Sequence, residues 1–553
     1  MRRLIECVPN FSEGVNLSII KAISDEIESI EGVKLLNVDP GKTTNRTVVT
    51  FVGEPEPLIE AAFVAIKKAS ELIDMSKHQG EHPRMGATDV CPLIPISEIS
   101  MDETVEYAKK LGKRVGEELN IPVYLYENAA TKPSRHNLSE IRSGEYEGIP
   151  KKIIKSEWKP DYGLAEFNSK SGNTAIGARD FLVAYNINLN TTSVRRANSV
   201  AFDVREQGRV KKNAKGEIVR DKNNNALRIP GTCKAVKAIG WFIEEYGVAQ
   251  VSMNLTNINV TPLHIAFNEA SKSAEKRGLR VTGSELVGLI PLKVMLDAGR
   301  FFLKKQNLST GVSEEHLIKI AIKSLGLDEL APFDPKKKII EYMLEDDSSN
   351  LLVGMNLREF SNETASDSPA PGGGSVSAYV GALGVSLATM VANLSAGKKG
   401  WEKSIEQFSN WAEKGQEIKN ALLKLVDEDT QAFSKIMDAY KLPKDSVERK
   451  ATLELATRRA IEVPFAVMKT SLESFTIINE MAARGNPNSA SDVGVAALCA
   501  RAAVLGAWLN VRINAKSLED KKFVNEVISN GQKMVKKAET LEKEALKLID
   551  SKI

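Results

Sequence analysis

The chain has 553 residues, room for about four folding units at ~150 residues each, so a single small module is excluded. Lys and Arg number 75 against 72 Asp and Glu, with 42% hydrophobic and 27% charged residues. That is ordinary globular composition, which excludes whole-chain disorder, and the balanced charge supplies no overall basic field for nucleic acid.

The opening MRRLIECVPNFSEG turns polar after a few apolar residues and lacks a signal-peptide core. Cys7, Cys91, Cys233 and Cys499 lie far apart with no CxxC pair. That speaks against a disulfide scaffold or zinc ribbon and suits a reducing, cytoplasmic location. In the first third, hydrophobic periodicity predicts strands over 4–8, 33–38, 47–52 and 121–127, with helices over 17–30, 55–73 and 104–119. A similar order restarts near residue 178, with strands over 181–189, 235–243, 250–258 and 279–289 and helices over 195–205 and 262–276. Two such rounds predict an α/β (α+β) half made of a duplicated split β-α-β unit, two ferredoxin-like subdomains over 1–178 and 179–326. Between the middle strands of the second round, the basic stretch 209–228 has ends apolar enough to pair as a hairpin around a solvated middle. It is either a protruding loop or an arm for an anionic ligand tail or a second subunit.

Prolines, charge runs and turn residues predict a linker over 327–355. From 356 to 553 the texture is that of an all-α bundle, with helices over 375–396, 401–426, 427–440, 444–477, 489–514 and 517–550. No charged residue falls between Asp367 and Lys398. The stretch is rich in Gly, Ala, Ser and Thr and contains Asn393, which points to a buried central helix rather than a membrane span. Small residues let neighbouring helices approach closely, within one bundle or across a subunit contact.

Several segments could carry chemistry. In KHQGEHPRMGATDV, His78 and His82 are four apart, but Gly80 between them and Pro83 after them put His82 on a loop, so no metal site is expected. Imidazole can move protons near neutrality and the adjacent Arg84 can hold a carboxylate, so His82 is either catalytic or a structural loop histidine. In NVDPGKTTNRT, Asp39 ends one strand and Arg46 begins the next; the carboxylate either makes a turn or orients an imidazole. The Gly/Ser/Asn-rich stretch after Asp161 either meets a ligand with its amides or links elements. DSPAPGGGSVSA sets Gly372, Gly373, Gly374 and Ser375 before a helix, either as an anion nest capped by Ser375 or as a close-packed turn. In LVDEDTQAF, Asp429 sits three after Val426 and four before Phe433, near an apolar face, where a carboxylate needs a partner or a protonation role. Asp492, in GNPNSASD, is either a helix cap or a companion of that carboxylate.

Taken together, LNVDPGKTTNRTVVTFVG, HQGEHPRMGATDVCPLIPI, GARDFLVAYNINLN, QVSMNLTNI and GSELVGLIPLK resemble formiminotransferase, while PAPGGGSVSAYVGALG, VDEDTQAF and the GN…SD turn resemble cyclodeaminase. In this order the chain resembles bifunctional formiminotransferase-cyclodeaminase over nearly its whole length. The resemblance implies a folate-dependent enzyme of histidine breakdown with tetrahydrofolate as co-substrate and no metal. The formimino group would pass from N-formimino-L-glutamate to tetrahydrofolate, and 5-formiminotetrahydrofolate would then close to 5,10-methenyltetrahydrofolate with release of ammonia. It implies His82, Asp39 and Arg84 as catalytic residues of the transfer. It implies folate contacts at Gly163, Leu164, Ala165, Glu166, Phe167, Asn168, Ser169, Lys170, Ser171 and Gly172, and Asp429 as acid of the second step beside Gly372 to Ser375 and Asp492. It also implies a homo-oligomer, possible use of polyglutamylated folate, and neither nucleic acid nor membrane as partner. The alternative is a formiminotransferase whose helical half only drives assembly.

Overall fold

Apolar alternation lays out the first sheet strand by strand in the computed structural model, which describes residues 3–42, 45–80, 83–344 and 352–553. In chain order the elements are β1 (Leu4–Cys7), β2 (Asn10–Phe11), α1 (Leu17–Glu28), β3 (Val33–Gly41), β4 (Arg46–Gly53), α2 (Pro55–Leu72), β5 (Thr88–Ser97), α3 (Met101–Glu118) and β6 (Val123–Glu127). The short helices α4 (Leu138–Ile141) and α5 (Glu145–Lys152) precede β7 (Thr174–Ala178). β1 and β2 both lie between β4 and β5, so the order across the sheet is β3, β4, β1 with β2, β5, β7, β6. The first four of these positions are the expected split β-α-β arrangement, extended by two parallel strands. β5 reads as no strand in the sequence because it holds Pro92 and Pro95 and does not alternate. It is buried on both faces, as a central strand is.

One register line crosses the whole sheet: Asp39 opposite Val48, Val48 opposite Asn10, then Val90, Ala175 and Tyr124. Paired residues share a face. Phe51, Leu93 and Ile176 belong to the apolar layer under α1, α2 and α3. The opposite face carries the Asp39 line and is covered beside β6 and β7 by Ile141, Ile149 and Ile153. Glu6 is buried, on the face opposite its neighbours Ile5 and Cys7, and burial pushes its carboxyl up to about 7 despite the nearby Arg179, with Glu341 adding to the rise. A raised carboxyl pKa means the folded state disfavours the ionised form. The penalty is absent below ~pH 4.5 and grows until about pH 7. Glu6→Gln is therefore expected to stabilise the protein at pH 8 by a few kcal/mol, at ~1.4 kcal/mol per pKa unit. Denaturant melts should show the gain shrinking to nothing by ~pH 4.

The second round gives β8 (Val183–Leu189), α6 (Val194–Val204), β9 (Arg209–Val210), β10 (Arg228–Ile229), β11 (Val236–Ile243), β12 (Val248–Leu255), α7 (Leu263–Glu275) and β13 (Val281–Val287). Its antiparallel order β11-β12-β8-β13 repeats the split β-α-β plan. β9 and β10 close the basic stretch as a hairpin whose middle is exposed.

The remaining helices are α8 (Leu292–Lys305), α9 (Glu314–Leu325), α10 (Pro335–Lys338), α11 (Ile340–Met343), α12 (Leu357–Thr364), α13 (Gly373–Ala396), α14 (Ile405–Lys441), α15 (Val447–Arg484), α16 (Ala490–Asn514) and α17 (Lys521–Asp550). Contacts divide the chain into two units, residues 1–294 with 325–345 and residues 295–324 with 346–553. Within the second unit α13 packs on α14, α15 and α16. Asn393, polar within this charge-free helix, is satisfied from the 309–311 loop: Ser309 Oγ donates to its Oδ1 at 2.6 Å, and its Nδ2 donates to the Gly311 carbonyl at 2.9 Å. The break expected between residues 426 and 427 does not exist, and α14 runs through it. Adjacent acids resemble a helix start, but the apolar period continues through Leu422, Leu425, Val426, Ala432 and Ala439. α13 and α16 are long and apolar enough to cross a membrane. They lie antiparallel, with Gly384 against Cys499 and Ala500, Gly381 against Ala503 and Gly506 against Ser377, the close approach small residues allow.

Candidate active sites

The β3–β4 turn and the loop after α2 meet through one residue. Asn45, at φ 46, accepts from Gly14 N–H at 2.9 Å and donates from Nδ2 to the Gln79 carbonyl at 2.8 Å. Its own carbonyl accepts from His78 Nε2 at 2.9 Å, while His78 Nδ1 accepts from Arg84 Nε at 3.2 Å, which fixes the proton on Nε2. Glu81 and His82 lie outside the described residues. Arg84 is buried, and Glu147 takes it in a two-pronged pair at 2.7 and 3.0 Å with Glu145 at 3.1 Å. These carboxylates raise the guanidinium pKa, and the hydrogen bonds from Arg84 hold Glu147 below the usual carboxylate range. Arg84 is thus bound by protein carboxylates rather than left open for one from a substrate. Asp39 is exposed on the uncovered face of the sheet, on β3.

Residues 163–172 form a loop whose end abuts this region. Ala87 N–H donates to the Ser171 carbonyl at 2.8 Å, and Asn173 N–H donates to the Met85 carbonyl at 3.0 Å. Gly172 has φ +66, and a Cβ there would overlap the Met85 carbonyl, so only glycine fits. Phe167 packs on Tyr146 with ring centroids 5.5 Å apart, and Tyr146 Oη donates to the Ser169 carbonyl at 2.6 Å. Leu164, Ala165, Glu166 and Lys170 are exposed, Gly163 and Asn168 half-buried.

In the helical unit the three neighbouring acids of α14 have three environments. Asp427 is buried and accepts from Leu352 N–H at 2.7 Å; burial raises its pKa against the hydrogen bonds of Leu352 and Val353. Glu428 pairs with Arg459 at 2.6 Å. Asp429 Oδ2 accepts from the Ser375 backbone at 2.9 Å and from Ser375 Oγ at 3.1 Å, while burial raises its pKa. No described group hydrogen-bonds its Oδ1. Asp429, Phe433, Ile436 and Tyr440, at i, i+4, i+7 and i+11 on one helix face, line a cavity of about 580 Å³ with Gly372, Gly373, Gly374, Thr457, Asn510 and Asn514. A Cβ on Gly374 would overlap the Asp429 carboxyl.

Two expectations need correction here. Ser375 does not cap α13: Gly372 holds that position, and Ser375, in the first turn, is itself bound by Asp429. Asp492 does not join the cavity. It lies in the first turn of α16, eighteen residues or ~27 Å from Asn510, where a carboxylate favours the helix dipole. The GN…SD turn is close to no cavity residue because antiparallel helices carry their two ends to opposite ends of the bundle. Asn45, Glu145, Glu147 and Asn510 escaped sequence reasoning. Only Asn510 had a signal, a polar i, i+4 pair with Asn514 in the last turns of a largely apolar helix. Among the described residues no group of three His, Cys, Asp or Glu could hold a metal ion.

Two separately packed units in one chain, the helical one with a carboxyl raised by burial lining a ligand-sized cavity, define a multifunctional enzyme. Residues 4–179 match the formiminotransferase domain, N-terminal subdomain; residues 184–345 match the formiminotransferase domain; residues 356–533 match formiminotransferase-cyclodeaminase. The formimidoyltransferase-cyclodeaminase of Mus musculus is 44% identical over 545 residues, 98% of this chain and 97% of that protein. The glutamate formimidoyltransferase of Streptococcus pyogenes serotype M1 is 40% identical over 58% of this chain and all of its own length. The methenyltetrahydrofolate cyclohydrolase of Methylorubrum extorquens is 34% identical over 36% of this chain and 97% of its own. The chain belongs to the formimidoyltransferase-cyclodeaminase family.

Proposed function

We propose that the two halves perform consecutive steps on one folate. In the first, N5 of tetrahydrofolate attacks the formimino carbon of N-formimino-L-glutamate, His82 moves protons through the tetrahedral intermediate, and glutamate leaves as its amine. Asp39 orients the imidazole and Arg84 holds the loop through His78. Residues 163–172 meet the folate. In the second step N10 attacks the formimino carbon, and Asp429 gives a proton to the departing ammonia, leaving the methenyl bridge. The N–H groups of Gly373 and Gly374 have no partner among the described residues and suit an anionic part of the substrate. The observation that carries the reading is Asp429: a carboxyl raised by burial, with one oxygen held by Ser375 and the other left unbonded in a ligand-sized cavity. A scaffold has no use for it.

The test is to mix the protein with formiminoglutamate and tetrahydrofolate, following methenyltetrahydrofolate by near-ultraviolet absorbance and ammonia by a coupled assay. Transfer without ring closure would return the helical half to a scaffold. The resemblance to a cyclohydrolase favours a second reading of the same cavity, water addition to the methenyl carbon, which would appear as decay of the absorbance once formed.

The reading also includes self-assembly. Val376, Val380, Leu383, Leu387, Met390 and Leu394 on α13 follow a three–four spacing and are half-buried or exposed, as are Val495, Leu498, Ala502, Leu505, Leu509 and Ile513 on α16. Each stripe lies ~110° around its helix from the α13–α16 seam. Because the helices are antiparallel, both stripes fall on the same side, forming an uncharged strip ~27 Å long. A second copy of the chain is the occupant such a face suits. Light scattering should give a homo-oligomer that Leu383→Lys with Leu498→Lys reduces to smaller species; a monomeric parent would end this part of the reading. Four free thiols support a cytoplasmic location.

A further inference from the structure

Among the described residues, the half-buried guanidinium of Arg46 in the transferase half has no hydrogen-bond partner. Arg46 opens β4 on the face that carries Asp39, two residues before Val48. Its Nε is buried, and no described group hydrogen-bonds it. Burial lowers its pKa, Asp89 and Asp39 oppose this, and Arg142 adds to it. Its neighbours are committed: Arg84 to Glu145 and Glu147, Arg142 to Asp89. Two buried acceptors on the same face also have no partner among the described residues, Asn10 Oδ1 directly across from Val48 and Asn173 Oδ1 just past the 163–172 loop. A guanidinium N–H sealed from water without a described partner costs stability, so its persistence marks a place where a ligand completes the pairing.

We propose that Arg46 binds a carboxylate of the formimino donor, with Asn10 Oδ1 accepting a hydrogen bond from the donor's N–H. This rests on the transferase reading. The position favours the donor over the folate tail. Arg46 is adjacent to Asn45, which anchors His78 and so the loop holding Arg84, and it shares a face with Asp39 at the reacting end. Planar two-point recognition of a carboxylate is what guanidinium geometry supplies.

The experiment compares N-formimino-glutamate with N-formimino-4-aminobutyrate, which lacks the α-carboxylate, and N-formimino-2-aminobutyrate, which lacks the side-chain carboxylate. Transfer to tetrahydrofolate is measured for the full-length protein and for Arg46→Gln and Arg46→Lys. The wild type is expected to prefer the full donor over one analogue by ~10²-fold or more in kcat/KM. Arg46→Gln should lose about that factor on the full donor, mainly through KM, while its rate with that analogue and its KM for tetrahydrofolate stay within ~3-fold, so the preference collapses. Arg46→Lys should retain part of the preference and carries the test if the Gln variant melts early. Preference undiminished in both variants, or an equal loss on all three donors, overturns the role of Arg46. Absence of any transfer by the wild type overturns the transferase reading itself, and this inference with it.

Discussion

Asp429→Asn is expected to stop methenyltetrahydrofolate formation, a loss of ~10²–10⁴-fold, while formimino transfer by the same molecule continues at the parent rate. Asparagine keeps the acceptor that Ser375 N–H and Oγ use, so the start of α13 and the cavity stay in place. What disappears is the exchangeable proton on an oxygen that no described group engages. 5-Formiminotetrahydrofolate should therefore accumulate, and ammonia release should fall in step with the absorbance. Loss of both activities together would point to misfolding, and a ring-closure rate within tenfold of the parent would remove Asp429 from the chemistry.

The same substitution makes a second, independent prediction. Burial is the largest cause of the raised Asp429 pKa, and Ser375 only partly offsets it. The folded state thus binds this proton more tightly than the unfolded chain does. Stability is unpenalised below ~pH 4 and falls as pH rises from the unfolded pKa to the folded one. The inactive Asn variant should therefore be the more stable protein at pH 7.5 and lose that advantage near pH 4. A helical half serving only as scaffold would have no reason to keep the costlier residue.

Periodicity carries most of what is legible of the fold in the sequence. The two split β-α-β rounds repeat hydrophobic spacing that survives without sequence identity, and α14 and α17 carry three–four patterns, while α13 and α16 stand out as long runs of small and apolar residues. β5 was illegible because two prolines and burial on both faces erase alternation. The break expected at residue 427 fails because the apolar period runs on through it, and Asp427 is engaged by the Leu352 backbone, 75 residues earlier. The site follows the same division. Asp429 was legible as an anomaly, a carboxylate on an apolar face. Glu145 and Glu147 were not, because GEYEGIPKK looks like any solvated turn until the fold brings it to Arg84. Asp492 shows the converse: a motif can group residues that the bundle then carries to opposite ends.

His82→Ala should reduce formimino transfer ~10²–10⁴-fold while ring closure of supplied 5-formiminotetrahydrofolate is unchanged. The loop KHQGEHPR offers two imidazoles, and the geometry removes one of them. His78 accepts from Arg84 through Nδ1 and donates to the Asn45 carbonyl through Nε2, so neither nitrogen is left to receive a proton from an attacking amine. Its task is to fix the loop, and His78→Gln should cost less than tenfold in rate, with a lower melting temperature. His82 is then the imidazole left to alternate between base and acid. The parent kcat/KM should show an acid limb, because a protonated imidazole cannot serve as the base. The limb should vanish from the residual activity of His82→Ala, and imidazole in the buffer should restore part of the rate. If the Ala variant stays within tenfold of the parent, or keeps the acid limb, proton transfer in this half belongs to another group.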